Sequence, residues 1–351
     1  MTSENEILFD QEGNAALITL NRPKALNALT HEMVEEMHPR LKSWADDESV
    51  RVVIVRGAGD RAFCAGGDIR KLYDEGLAGG QYPYDFYHDE YRLNVDIHYY
   101  AKPYVSFLNG IVMGGGCGVS IPGSHRVATQ NITFAMPETG IGLFPDVGGS
   151  FFLSRCPGRI GIYLALTGAR LKSADAVYAG VADVYVPAEK LDALQAALAA
   201  ADINTHDDAT AVIAGFAEDA GEGALAQHRA DIDRLFAGDS VEEILAALDA
   251  DGSEWATKQA SIVRSKSPTS LKIAHRQVTD GAQKDFRDCM RMEWRMVNRI
   301  IAAKDFYEGT RATVIDKDGA PKWVPASLDE VSQDIVDGYF APLESGDLQF
   351  D

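Results

Sequence analysis

The stretch Met136-Pro-Glu-Thr-Gly-Ile-Gly-Leu-Phe-Pro-Asp-Val-Gly-Gly149 sets two carboxylates, Glu138 and Asp146, eight residues apart on what reads as one loop. Each directly follows a proline. Pro137 and Pro145 fix their own φ and bias Met136 and Phe144 away from helix, so the pattern predicts an irregular segment between two regular elements. Loops held by a rigid scaffold commonly carry site residues. Taken singly, each acid also has a structural reading: Asp146 as N-cap of a helix starting near Val147, and Glu138 in a surface ion pair.

Two glycine-rich segments lie upstream. The apolar, strand-like run at 103–108 leads into Asn109-Gly-Ile-Val-Met-Gly114-Gly115-Gly116-Cys117-Gly118. A strand entering a helix through three glycines exposes backbone N–H groups at a positive helix end, where a developing oxyanion approaches without meeting a Cβ. Alone, a triple glycine fits a flexible turn or a close helix crossing equally well. The second segment, Ala62-Phe-Cys-Ala-Gly66-Gly67-Asp68-Ile69, follows another strand-like run at 52–56 and a polar turn at 57–61. Two such strand-to-glycine-turn units supply two N–H donors, the minimum for an oxyanion hole.

In this order the three segments, AFCAGGDI, NGxxxGGG and FAMPETxIGLFPDVGG, resemble the enoyl-CoA hydratase/isomerase (crotonase) superfamily, most closely its thioester-hydrolase branch. The likeness runs from Leu20-Asn-Arg-Pro-Lys-Ala-Leu-Asn27 to Asp305-Phe-Tyr-Glu-Gly309 and Ile315-Asp-Lys-Asp-Gly-Ala-Pro-Lys-Trp323. It implies an α/β fold, a crotonase-type spiral of ββα units with a helical insertion and C-terminal helices. It also implies that Gly67 and Gly115 offer the oxyanion-hole N–H groups and that Glu138 is the central catalytic carboxylate with Asp146 its partner. Ala25, Leu26, Ala65, Asp68 and Ile69 would line the CoA path. The run Asp89-Glu90-Tyr91-Arg92-Leu93-Asn94 resembles the hydrolase branch, where the residue matching Glu90 lies in the acyl pocket.

One departure discriminates among the family's reactions. Hydratases carry a second catalytic glutamate two positions after the triple glycine, where this chain has Gly118. They also tend to carry glycine at the position of Asp146. Glycine cannot activate water, so hydration is disfavoured. The expected reaction is hydrolysis of a short 3-hydroxyacyl-CoA thioester, best matched by 3-hydroxyisobutyryl-CoA, as in valine catabolism. The alternatives are enoyl-CoA hydration or double-bond isomerisation, and a non-catalytic acyl-CoA-binding subunit.

Composition agrees with an enzyme of this kind. With 351 residues and 46% hydrophobic content the chain can bury a large core. No apolar run approaches the roughly 20 residues needed to span a bilayer, and MTSENEILFD lacks the basic and apolar parts of a signal peptide, so a cytoplasmic location is expected. The net charge of −20 argues against nucleic acid as partner. CoA is itself a polyanion, and the candidate local cations are Arg22, Lys24, Arg70, Lys71 and Lys317, each of which also reads as an ordinary solvated side chain. Cys64, Cys117, Cys156 and Cys289 show no CxxC pairing and are expected as free thiols. No cofactor beyond the CoA of the substrate and no metal is expected: the histidines show no ligand spacing, and His125 reads as structural. Gly57-Ala-Gly59 falls short of a dinucleotide fingerprint, and Gly118-Val-Ser120-Ile-Pro122 short of a nucleophile elbow. Superfamily members often form trimers or pairs of trimers, so the resemblance allows a homo-oligomer.

Along the chain, a hairpin is expected over 7–20, turning at Glu12-Gly-Asn14, then a helix over 30–46 with Thr30 as N-cap and a kink at Pro39. Strands are expected at 52–56, 104–108, 126–129 and 132–135. Residues 1–198 are read as the spiral core, 199–260 as an acidic helical insertion containing Ser240-Val-Glu-Glu-Ile-Leu-Ala-Ala-Leu-Asp249, and 261–351 as a C-terminal helical region packing on the core.

Overall fold

The computed structural model describes residues 5–350; residues 1–4 of the N-terminal segment lie outside the described residues. The chain forms two compact units, one of 1–67, 92–134 and 170–226, the other of 68–91, 135–169 and 227–351.

The first unit is built on parallel strands. β1 (Ile7–Glu12) and β2 (Ala15–Leu20) form the expected antiparallel hairpin, and β2 pairs in parallel with β3 (Val52–Gly57). Three strand pairs follow the hairpin: β3 with β4 (Ala62–Cys64), β5 (Tyr104–Leu108) with β6 (Ile111–Met113), and β7 (His125–Ala128) with β8 (Thr133–Ala135). The first member of each pair enters a six-stranded sheet of order β1-β2-β3-β5-β7-β9, the second a three-stranded sheet of order β4-β6-β8. This is the expected repetition of ββα units. The last strand, β9 (Val184–Tyr185), is two residues long and carried no legible strand signal.

Alternation decides which side chains go inside. Ala15 and Leu17, Val52 and Ile54, Val105 and Phe107, with Val127, present one face of the large sheet, covered by Leu194, Leu198, Ala209 and Ile213 from helices Leu191–Ala200 and His206–Ala214. Each fully buried Val, Leu, Ile or Phe side chain contributes about 1.5–3 kcal/mol. The helix His31–Asp46 begins where expected, with the Thr30 hydroxyl accepting from the Met33 N–H at 3.2 Å.

The second unit is helical. The 199–260 stretch is helical as read, and its helices divide: His206–Ala214 lies on the first unit's sheet, while Val241–Asp251 and Glu254–Arg264 belong to the second unit. Two long helices complete that unit. Pro268–Gly281 starts from Ser267 as N-cap with proline at its first turn, and Phe286–Ala302 from Asp285, whose carboxylate accepts from the Asp288 N–H at 2.8 Å. Among the described residues, no helix is long and apolar enough to cross a membrane.

Candidate active site

In the first unit, β4 and β6 are parallel neighbours, so the glycine turns that follow them leave the same edge of one sheet. Each glycine has its own reason. Gly66 (φ +117°) and Gly114 (φ +46°) occupy backbone conformations closed to most L-residues. Gly116 packs so tightly that a Cβ there would stand 2.3 Å from the Cys64 carbonyl oxygen. Gly115 opens the four-residue helix Gly115–Gly118, and an N–H in that first turn has no intrahelical acceptor. The close crossing, offered above as the bland reading of the triple glycine, is thus real at Gly116, and it coexists with an available donor at Gly115.

The residues expected along the CoA path are partly assembled in the same unit. Leu26 and Asn27 both take positive φ, +53° and +55°, after the short 3₁₀ turn Pro23–Ala25. The buried Asn27 amide holds this turn by donating to the carbonyls of Ala58 (3.0 Å) and Ala62 (2.8 Å). The Ala65 N–H donates to the Leu26 carbonyl (3.0 Å) and the Leu29 N–H to the Gly66 carbonyl (2.8 Å). Leu26 therefore runs beside Ala65, and Leu29 beside Gly66 and Gly67. Arg22 pairs with Glu6 at 3.0 Å. His125 is structural, as read: its ring bridges Ser124 (2.8 Å) and Thr210 (3.0 Å), and burial lowers its pKa. All four cysteines are buried and none forms a disulfide.

The second unit holds the acids. Glu138 is 5% exposed and Asp146 3%, which removes the surface ion pair from consideration. Glu138 opens a 3₁₀ turn, Glu138–Ile141, so the loop is more regular than its prolines suggest. The cap reading of Asp146 also fails, because the helix Gly149–Phe152 starts from Gly148 with no side-chain cap. The Asp146 carboxylate instead accepts the Tyr91 hydroxyl at 2.9 Å. Glu138 Oε2 and Glu90 Oε1 are buried without a hydrogen-bond partner among the described residues. Unmet buried acceptors are costly, and at a site they mark where a substrate or water group is received.

A fourth acid joins them. Glu293 is fully buried on the helix Phe286–Ala302; its Oε2 accepts the Gly148 N–H (2.9 Å), and its Oε1 accepts the Ser150 N–H (2.9 Å) and the Ser150 hydroxyl. Burial dominates the electrostatics of all four. It pushes Glu138 well above the usual carboxylate range, the Asp146 charge adding to the effect and Lys266 partly offsetting it. Glu90 is raised likewise by burial, then by Asp146 and Glu293. Burial lifts Asp146 to about 7 against the Tyr91 hydrogen bond, and Glu293 to about 8 against its bonds from Ser150 and Gly148. Such a cluster holds fewer charges than carboxyls near neutrality, so a proton acceptor and a proton donor coexist in it.

Of the remaining candidates, Asp68 is the N-cap of Ile69–Leu77, accepting from the Lys71 N–H at 3.3 Å. Lys71 lies over the Tyr82 ring, 4.3 Å from its centre. Arg70 reaches the Val314 carbonyl at 3.5 Å. Lys317 is exposed at φ +58°, in a turn shaped by Arg311 bonding Asp316 and Asp318 (2.7 and 2.6 Å). No described contact brings it to the acids. Sequence reasoning missed Tyr91 as the partner of Asp146, and also Lys266 and Glu293. The last had a signal: a glutamate at the centre of the apolar stripe Phe286, Cys289, Met290, Met296, Val297, Ile300.

Comparison with known proteins adds three findings. A family model described as enoyl-CoA hydratase/isomerase matches residues 15–340. The 3-hydroxyisobutyryl-CoA hydrolase, mitochondrial, of Danio rerio is 47% identical over 98% of this chain and 92% of its own; that of Homo sapiens is 43% identical over 98% and 91%. Among solved structures, one titled a carnitinyl-CoA dehydratase from Mycobacterium thermoresistibile superposes with a TM-score of 0.93 at 43% identity over 99% of both chains. One titled an enoyl-CoA hydratase from Rhodobacter sphaeroides 2.4.1 does so with 0.92 at 39%, over 99% of this chain and 100% of its own.

Proposed function

The chain belongs to the enoyl-CoA hydratase/isomerase family, and from that membership we propose that it hydrolyses a short 3-hydroxyacyl-CoA thioester, 3-hydroxyisobutyryl-CoA, to the free hydroxy acid and CoA. Valine catabolism is the route such an activity serves. The observation that carries the reading is the pair Glu138 and Asp146, both buried, the first with an unmet acceptor oxygen and the second held by Tyr91. Gly118 stands where a hydratase of this family has its second acid.

In this reading the N–H groups of Gly67 and Gly115 receive the thioester oxygen as it becomes an oxyanion, each worth about 2.7–4 kcal/mol in the transition state. Glu138 either attacks the carbonyl carbon, giving an anhydride that water then opens, or takes a proton from the attacking water. Either way a C–O bond forms, the C–S bond breaks, and the leaving thiolate takes its proton from Asp146, the acid cluster holding a proton there while Glu138 is ionised. Glu90, with its own unmet oxygen, accepts the substrate's 3-hydroxyl. A site built around that hydroxyl rejects acyl groups lacking it, because its buried acceptor is then left unpaired.

The titles of the two solved relatives favour a second reading, addition or removal of water at a double bond. Incubation with an enoyl-CoA and analysis for hydrated or isomerised products separates the two. A cytoplasmic location is part of the proposal, beside vertebrate relatives whose names place them in mitochondria. The direct test is Glu138→Gln and Asp146→Asn, each of which is expected to lower kcat by about 10² or more while acyl-CoA binding persists. A variant that keeps most of its turnover removes that residue from the mechanism.

A further inference from the structure

The turn that carries Asp146 is held in an unfavourable backbone conformation, and the groups that hold it come from two distant helices. Val147 sits at φ +51° and Gly148 at +90°. For a β-branched residue that conformation costs about 1–3 kcal/mol, and it persists only where its surroundings over-determine it. Here they do. Glu293 receives Gly148 N–H on one oxygen and the N–H and hydroxyl of Ser150 on the other, gripping the turn at the first and third residues after Val147. Gln277, from Pro268–Gly281, donates its side-chain amide to the Pro145 carbonyl on the other side of Asp146. Phe286, at the start of Glu293's own helix, closes the remaining side, its ring 2.7 Å from where a Cβ on Gly148 would stand. Glu293, Gln277 and Ser150 are all fully buried.

We propose that Glu293 is a positioning residue for the reaction: its carboxylate clamps the Val147–Ser150 turn in the left-handed conformation that aims Asp146 at Tyr91 and the reacting thioester. This rests on the role given to Asp146 above. A buried acid is weak evidence for stability, since replacing such groups by well-packed apolar residues is often neutral or stabilising, so a carboxyl group kept in the apolar stripe of a helix needs another reason. Three donors converging on its two oxygens, all from the turn that bears a proposed catalytic acid, supply one. The helix Phe286–Ala302 is the rigid arm, and the turn is what it sets.

The test is a set of double-mutant cycles on the full chain, with thiol release from 3-hydroxyisobutyryl-CoA as the readout and thermal melting run on every variant. Glu293→Gln keeps the shape but can accept from only one side of the turn, and Ser150→Ala removes one of the three donors with little disturbance. Expected are losses in kcat of about tenfold for Glu293→Gln and about threefold for Ser150→Ala, with KM within about twofold. In the Asp146→Asn background both losses should fall below about twofold, because there is no longer an acid to aim. Losses of equal factor in both backgrounds, or a folded variant with unchanged kcat, would overturn the clamp. If Glu293→Gln does not fold, Ser150→Ala decides by the same criteria. Asp146→Asn alone separates the layers. A severe loss there, with Ser150→Ala and Glu293→Gln harmless, removes only the clamp, whereas full activity in Asp146→Asn removes the role of Asp146 and the clamp with it.

Discussion

Asp146 illustrates how one side chain trades stability for chemistry. Its pKa is raised in the folded state to about 7 by burial, against about 3.9 in an unfolded chain. The folded state therefore holds the proton more tightly than the unfolded one, and the stability linked to this group is fully present below about pH 4 and lost as pH rises through about 7. Asp146→Asn is isosteric, keeps an acceptor for Tyr91 and does not titrate. It is expected to melt above the parent protein at pH 8, at about 1–2 °C per kcal/mol gained, with the gap closing toward pH 4. A lower melting temperature for Asp146→Asn at pH 8 would mean that the carboxylate is paid for by contacts other than Tyr91. Glu138 and Asp146 were legible because two prolines and the spacing between them mark a loop. Their burial, and the partner Tyr91 55 residues away, follow from tertiary packing that no local pattern carries.

Single elements show where the sequence speaks and where it is silent. Thr30 reads as a cap because a hydroxyl before an apolar-periodic run has one obvious use, and it is used so. The triple glycine reads ambiguously because its reasons are spatial: a forced dihedral at Gly114 and a crossing at Gly116. Gly116→Ala is accordingly expected to cost several kcal/mol or to abolish folding, since its Cβ meets the rigid Cys64 backbone rather than a flexible side chain. Gly338 is the counter-case. It lies exposed inside the helix Gln333–Phe340 with nothing within 4 Å of a built Cβ, so Gly338→Ala should stabilise by about 0.5–1 kcal/mol, read as a higher denaturation midpoint at unchanged slope. The helices of 199–260 were recognisable by period, but their division between the two units was not, because an amphipathic face does not name what it covers.

For the molecule as a whole, the pairing of strands into ββα units and the placing of glycine turns at the ends of adjacent parallel strands form one plan, which the family resemblance implied; of its short second strands only the one at 133–135 was expected from the residues, while β4 and β6 fall inside the glycine segments and carry no strand pattern of their own. The acid cluster of the second unit was partly readable: the sequence marked Glu90, Glu138 and Asp146, the apolar stripe around Glu293 held a signal that went unread, and Lys266 emerges only in three dimensions. What the family membership leaves open is which of its reactions this set of acids performs. Free-thiol release from 3-hydroxyisobutyryl-CoA, measured beside isobutyryl-CoA and an enoyl-CoA with Glu138→Gln as control, decides it. Fast release from the hydroxylated thioester alone, abolished in the control, is the expected result. Absence of thiol release from all three, or hydration of the enoyl-CoA in its place, would contradict the hydrolase reading.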